Sequence, residues 1–214
     1  ADISKDYGNQ AVKDIESLGG KAIFFEADFE KSDSPKKVVD DCVNILGRLD
    51  MLVNNVGIQP PASYKNIEDT TEEMWDAVIN VNLKSYFLMS KYSIPHMKKI
   101  GKGSIINISS VQGLQSQKLV PHYAASKGAV ISLTRQMSLD YIKSNIRVNT
   151  INPGAFDTPL VRKSIRYGRT DMCATRHTSS TAPAGAWVGG TVTPLAYSAA
   201  RTPPLVHATH VYPS

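Results

Sequence analysis

Cysteine is scarce in this chain of 214 residues, with only Cys42 and Cys173 present. Two thiols cannot build a disulfide framework, and the plain reading is a pair of reduced thiols in a cytoplasmic protein. No apolar run approaches the ~18 residues that a membrane-spanning helix needs. The start, Ala1-Asp2-Ile3-Ser4, lacks the basic and apolar pattern of a secretory leader. No His/Cys group has metal-ligand spacing, so no metal is expected. Among 14 glycines there is no Gly-x-Gly-x-x-Gly and no Gly-x-x-x-Gly-x-Gly. Acidic residues are nearly absent from one stretch only. Beyond residue 160, Arg162, Lys163, Arg166, Arg169, Arg176 and Arg201 stand against the lone acid Asp171, so the formal charge of +5 arises entirely there. The pI near 9.1 therefore does not describe a nucleic-acid surface, and neither nucleic acid nor membrane is expected as a partner.

What is present suits a folded domain. Hydrophobic residues make up 42% of the chain, enough for one sizeable core. Ala1-Asp2-Ile3-Ser4 reads as the tail of a strand. Residues 9–18 read as a helix, with Ala11, Val12, Ile15 and Leu18 on one face and Gly19-Gly20 as its stop. Residues 21–28 carry Ala22-Ile23-Phe24-Phe25, read as a short buried strand. Residues 34–46 repeat the helical period, and residues 50–54 are a continuous apolar strand of the kind a parallel sheet requires. Thr70 with Glu73 reads as a capping box opening a helix to about Lys99, with Pro95 expected to end or kink it. Residues 103–109 and 146–151 read as strands, and 121–143 as a helix. Alternating strands and helices predict a doubly wound parallel α/β sheet, Rossmann-like in build.

One pair on the last helix carries chemistry. Tyr123 and Lys127 are four residues apart, which places both on one helical face. A phenol is a poor acid or base near neutral pH, and an ammonium group beside it lowers its pKa. Around the pair stand Asn54-Asn55-Val56-Gly57, Asn80-Val81-Asn82-Leu83, a strand ending in Ser109-Ser110, and Asn152-Pro153-Gly154 followed by Thr158. This ordered set resembles the short-chain dehydrogenase/reductase family, from Ala1 to about Leu160, with Val56 where the family's Asn-Asn-Ala-Gly motif has Ala.

The resemblance implies hydride transfer between a nicotinamide and a carbonyl or alcohol carbon of a small-molecule substrate. It gives Tyr123 the role of general acid/base and Lys127 that of lowering the Tyr123 pKa and holding the nicotinamide ribose. Ser110 would bind the carbonyl oxygen, with Ser109 its competitor, and Asn82 would hold a water linking Lys127 to solvent. For the cofactor it implies Asp2 at the adenosine ribose, Asp28 at the adenine, Asn54 and Gly57 after a central strand, and Pro153, Gly154 and Thr158 at the nicotinamide amide. Plain alternatives stand beside these: a helix N-cap for Asp2, a strand-end turn acid for Asp28, a backbone-bonded amide for Asn82, a simple Pro-Gly turn. Asp2 favours NAD, with NADP as the alternative. His122 reads as a surface residue, because one position away on a helix it points elsewhere than Tyr123. A homo-oligomer pairing helices 70–94 and 121–143 is implied.

Two features depart from the family. Its first strand and Gly-rich pyrophosphate turn are not found in this sequence, and in its sheet order, 3-2-1-4-5-6-7, that strand is central. After residue 160 the pattern dissolves into an Ala/Thr/Ser/Pro-rich tail with no strand or helix period, which points to translation out of frame or an aberrant splice from roughly residue 163, with a natural divergent tail as the plain alternative. Residues 1–160 are thus read as a Rossmann-like oxidoreductase body and 161–214 as an atypical tail, with the last strand not recognisable and the activity of the chain expected to be weak or absent. Two other readings remain open: a non-catalytic nucleotide-binding or interaction module, and an NADP-dependent 3-oxoacyl carrier-protein reductase.

Overall fold

The computed structural model describes residues 1–154 and the backbone of residues 205–208. Helix α1 (Lys5–Ser17) starts at Ser4, whose hydroxyl accepts from the Tyr7 amide at 3.4 Å. Helix α2 (Ser34–Leu46) has Pro35 in its first turn and ends on Gly47 at φ 78, a left-handed position that favours glycine. Its stripe Val38, Val39 and Cys42 is buried.

Strand β1 (Met51–Asn54) leads through a loop to helix α3 (Glu72–Ile79). The cap of α3 is Thr71, which accepts from the Met74 amide at 3.3 Å. Thr70, the expected cap, instead donates to the Asn66 carbonyl and belongs to the preceding turn. A single long helix was expected here. The rod is continuous but changes winding: residues Asn80–Lys84 form a π-helical segment before α4 (Ser85–Ile100). Pro95 does not end α4. Ile94 and Met97 on either side of it are buried, so packing holds the last turn although Pro removes one backbone donor. The Met97 sulfur lies where a Cβ on Gly103 would meet it at 2.5 Å, so the close approach of α4 to the sheet depends on that glycine.

Strand β2 (Gly103–Ile108) pairs in parallel with β1, from Met51↔Ser104 to Asn54↔Asn107. Helix α5 (Pro121–Tyr141) follows, and β3 (Ile146–Ile151) pairs in parallel with β2 from Gly103↔Ile146 to Ile108↔Ile151. Strand β4 (Leu205–Ala208) lies parallel to the free side of β1, from Met51↔Leu205 to Asn54↔Ala208. The sheet order is β3-β2-β1-β4. Three parallel neighbours joined by helices make this an α/β fold of the doubly wound, Rossmann-like kind. The strand at 205–208 was not legible in a tail expected to have none. The rest of that tail, and Thr158 with it, lies outside the described residues.

The expected strand over residues 21–28 is reduced to one parallel bridge, Asp2↔Glu26. Asp2 donates its amide to the Phe25 carbonyl at 3.2 Å and accepts from the Ala27 amide at 3.0 Å. Among the described residues no ladder extends this pair, so the apolar residues Ala22–Phe24 before it are not part of a strand. The core lies between the sheet and its helices: Leu52 and Ile105 on adjacent strands, Cys42 and Val39 on α2, Val78 on α3 and Met97 on α4. A polar chain crosses this core. Asn54 donates to Asn107 Oδ1 at 2.8 Å, Asn107 to Thr134 Oγ1 at 2.9 Å, and Thr134 to the Val130 carbonyl at 2.8 Å. The amide nitrogens of Asn54 and Asn107 and the Thr134 hydroxyl are thereby given partners.

Candidate active site

Strands β1, β2 and β3 deliver their following loops to one edge of the sheet, the carboxyl edge where ligands bind in open α/β sheets. Ser110 lies two residues beyond β2 and caps a short 3₁₀ turn over Val111–Gly113, accepting from the Gln112 amide at 3.1 Å. The Val111 amide donates to the Pro153 carbonyl at 3.0 Å, which ties the turn after β3 to the same place. Pro121 opens α5 so that Tyr123 and Lys127 follow within its first two turns.

Asn82 sits inside the π-helical segment and is fully buried. Its Oδ1 accepts from the Ile58 amide at 2.7 Å, and its Nδ2 donates to the Ile58 carbonyl at 3.0 Å and to Ser126 Oγ at 3.3 Å. Ser126 Oγ donates in turn to the Tyr123 carbonyl at 2.7 Å. Asn82 therefore clamps the loop after β1 to the first turns of α5. A π turn admits one extra residue and turns a side chain inward that a regular helix would carry past. Gly57 lies in the same cluster: a Cβ there would stand 3.5 Å from Lys127 Nζ and 3.6 Å from Asn82 Oδ1.

Lys127 is 3% exposed. Its Nζ donates to the Ile108 carbonyl at 2.9 Å and stands 5.8 Å from the Tyr123 ring centroid. Burial drives its pKa down to about 7. Tyr123 is pushed the other way: burial raises its pKa, the hydrogen bond from Ser110 draws it back, and Tyr64 raises it again. Lys127 Nζ is itself bonded to a main-chain carbonyl, and the group that draws the Tyr123 pKa down here is the Ser110 hydroxyl. Ser109, the competitor, donates to the Lys127 carbonyl at 2.6 Å and serves to attach β2 to α5.

The remaining expected residues divide. Asn54 is buried with its amide bonded to Asn107 and Ser90, so its side chain is committed to the interior. Pro153 is in the cluster through Val111, and Gly154 is exposed. Asp2 and Asp28 are not in the Tyr123 cluster; they belong to the segment before α2. Asp2 is buried and accepts from the Ser4 amide at 2.8 Å, so Ser4 rather than Asp2 caps α1. Asp28 accepts from the Glu30 amide and pairs with Lys31 at 3.7 Å. His122 is not on the surface. It is 0% exposed and both ring nitrogens lack a partner. It does face away from Tyr123, but that face of α5 packs inward.

Two residues of the cluster had no place in the sequence reading: Ser126, inside the Tyr-to-Lys interval, and Tyr86, four positions beyond Asn82 and therefore near its face of the rod. Among the described residues there is no group of three or more His, Cys, Asp or Glu able to hold a metal. None of their helices is long and apolar enough to cross a membrane.

Comparison with known proteins agrees with this arrangement. Residues 1–167 match the short chain dehydrogenase family. An uncharacterized oxidoreductase of Thermotoga maritima is 44% identical over 153 residues, 72% of this chain and 59% of that protein. The 3-oxoacyl-[acyl-carrier-protein] reductase FabG of the same organism is 41% identical, over 76% of this chain and 65% of its own. A cyclopentanol dehydrogenase of a Comamonas species is 38% identical, over 76% and 64%. The crystal structure of a putative short-chain dehydrogenase/reductase from Burkholderia xenovorans superposes with a TM-score of 0.72 at 32% identity, covering 79% of this chain and 64% of that one. The matched stretch thus spans about three-fifths of the length of these relatives. The chain belongs to the short-chain dehydrogenase/reductase family of oxidoreductases.

Proposed function

We propose that the chain transfers a hydride between a nicotinamide cofactor and a carbonyl or alcohol carbon, with Tyr123 as the general acid/base. The observation that carries this reading is the convergence of Ser110, Tyr123 and Lys127 after β2 and in the first turns of α5: Ser110 draws the Tyr123 pKa down, and Lys127 Nζ stands 5.8 Å from the Tyr123 ring centroid. In the reducing direction the substrate carbon gains the hydride and its oxygen gains the phenolic proton of Tyr123. Ser110 donates a hydrogen bond where negative charge develops on that oxygen, which stabilises the transition state more than the ground state. Lys127, when protonated, stabilises the phenolate that remains. Asn82 holds the floor of the site rigid through Ile58 and Ser126.

The nicotinamide, when bound, supplies or accepts the hydride. Two buried atoms at this edge, Gln59 Nε2 after β1 and Asn152 Oδ1 after β3, have no partner, and a polar ligand there would satisfy both. The residues thus fit the nicotinamide end, with Gly57, Lys127, Pro153 and Gly154 as its holders and Thr158 proposed beside them. Asn54 lies at the end of β1, next to Gly57. The buried carboxylate of Asp2 would accept the ribose hydroxyls and repel a 2′-phosphate, which favours NAD over NADP, and Asp28 would meet the adenine. The body is proposed as 1–160, with 161–214 an appended tail, and a second copy is expected to dock along α4 and α5, where Phe87 and Leu139 are exposed.

The test is spectrophotometric turnover of a panel of ketones and secondary alcohols with each nucleotide. Activity that Tyr123→Phe abolishes while leaving the fold intact supports the reading; activity that survives the substitution sinks it. A 3-oxoacyl thioester belongs in the panel, because one relative is named for that reaction. Preference for that thioester with NADPH would move the assignment to that class. Nucleotide binding with no turnover on any substrate would favour a non-catalytic module.

A further inference from the structure

Tyr86 lies on α4 and is 1% exposed. Its hydroxyl donates to the Ile108 carbonyl at 3.2 Å, the same oxygen that accepts Lys127 Nζ at 2.9 Å. Its ring centroid is 5.3 Å from Nζ, closer than that of Tyr123 at 5.8 Å. We propose that Tyr86 is a positioning residue for Lys127, holding the amine between two rings on one shared carbonyl and sustaining its ammonium form in a site that otherwise excludes charge.

The two ends of Tyr86 act differently. A carbonyl oxygen has two lone pairs. The Tyr86 hydroxyl takes one, which leaves the lysine a single direction of approach. The ring presents its negative face to a desolvated cation, where that attraction is strongest. Burial opposes this by disfavouring charge on Lys127. Tyr86 itself remains a neutral donor, because burial and the neighbouring Tyr123 hold its phenol far above the ordinary value. The groups around Nζ are Tyr123 on its own helix, Tyr86 from α4, the Ile108 carbonyl from β2, and Asn82 with the Gly57 backbone on the remaining side. Among the described residues no carboxylate forms an ion pair with Lys127, so the aromatic rings are its counterpart.

The experiment reads Lys127 directly and needs no turnover. Lysines of the full chain are labelled with ¹³C at the ε carbon and titrated by NMR, and Lys127→Met identifies the signal. Position 86 is then filled with phenylalanine, 4-fluorophenylalanine and 3,4,5-trifluorophenylalanine, which keep the ring's shape while weakening its negative face. The expected result is a Lys127 midpoint that falls stepwise with fluorination, by about one pH unit across the series. A midpoint that is flat or rises across it overturns the proposal. The consequence for catalysis rests on the reading above: the alkaline limb of kcat should move with the midpoint. A stepwise midpoint in a chain that turns nothing over would sink that reading and leave the role of Tyr86 standing.

Discussion

Asn82 and Ile58 exchange two hydrogen bonds, amide to Oδ1 at 2.7 Å and Nδ2 to carbonyl at 3.0 Å. A side-chain amide here imitates the reciprocal pairing of two strands. It does so across a gap between a helix and a loop, where no main chain on the helix side has bonds to give. Asn82→Ala leaves both Ile58 groups buried and unpaired, and each such loss costs about 1–3 kcal/mol. A fall of about 2–6 kcal/mol in unfolding free energy is expected, read from the urea midpoint. An unchanged midpoint would mean that the loop after β1 is held by something else.

His122 should govern stability in acid. Burial holds its pKa below the usual histidine value, so as pH falls the unfolded chain takes the proton first. Stability is then fully present above about 6.5 and declines below it. His122→Leu replaces two unpaired nitrogens with apolar surface of similar size. It should leave stability at pH 7.5 unchanged or raise it by about 1 kcal/mol, and it should remove the decline that sets in below about pH 6.5. Thermal melts across that range decide it. A variant as acid-sensitive as the parent would locate the sensitivity elsewhere.

Lys127 sets activity against stability. The unfolded lysine titrates near about 10.4 and the folded one near about 7. Between those values the unfolded chain carries the extra proton, so the burden on the fold is complete below about 7 and is relieved as pH rises through the window. Lys127→Met keeps the length of the side chain and removes the amine. The denaturation midpoint at pH 7 should rise, the slope between pH 7 and 10 should flatten, and turnover should disappear. A lower midpoint at pH 7 would mean that the bond to Ile108 outweighs desolvation.

Gly113 should tolerate no side chain. A Cβ there would lie 2.7 Å from both the carbonyl carbon and the oxygen of Lys127. Backbone meets backbone at that contact, so no flexible tip can yield. Gly113→Ala should cost about 1–3 kcal/mol, and it should part the Ser110 turn from α5. The loss of kcat is expected to exceed the change in KM, which steady-state kinetics on the soluble fraction would measure.

The sheet was legible in outline. Met51–Asn54, Gly103–Ile108 and Ile146–Ile151 fall within a residue or so of where the pattern puts them; the first is a short apolar run of the kind a strand covered on both faces needs, while Ile146–Ile151 alternates apolar Ile146 and Val148 with Arg147 and Asn149, Arg147 being exposed. The same signal misled at Ala22–Phe25, since a short apolar run carries no information about whether a partner is there to bond it. Thr70 and Thr71 both have a cap's chemistry, and only the chain's path separates them. The ordered motifs brought out the Tyr123 cluster, but Tyr86 was hidden within a helix whose winding changes, and a tyrosine in an apolar stretch reads as core. His122 failed for a related reason. Knowing that a residue points away from its neighbour does not say whether solvent or protein lies in that direction.

Strand β4 meets β1 across most of the length of the chain, Met51 against Leu205. By contrast β1, β2 and β3 follow one another with a single helical connection each. Loop-closure entropy rises with separation, so the three local strands should assemble early and the distant one should dock late, as a slow phase with its own amplitude. Until it docks, β1 presents a bare row of amides and carbonyls, which is a template for the strands of other chains. Concentration during refolding, more than temperature, should therefore decide how much of this protein stays in solution.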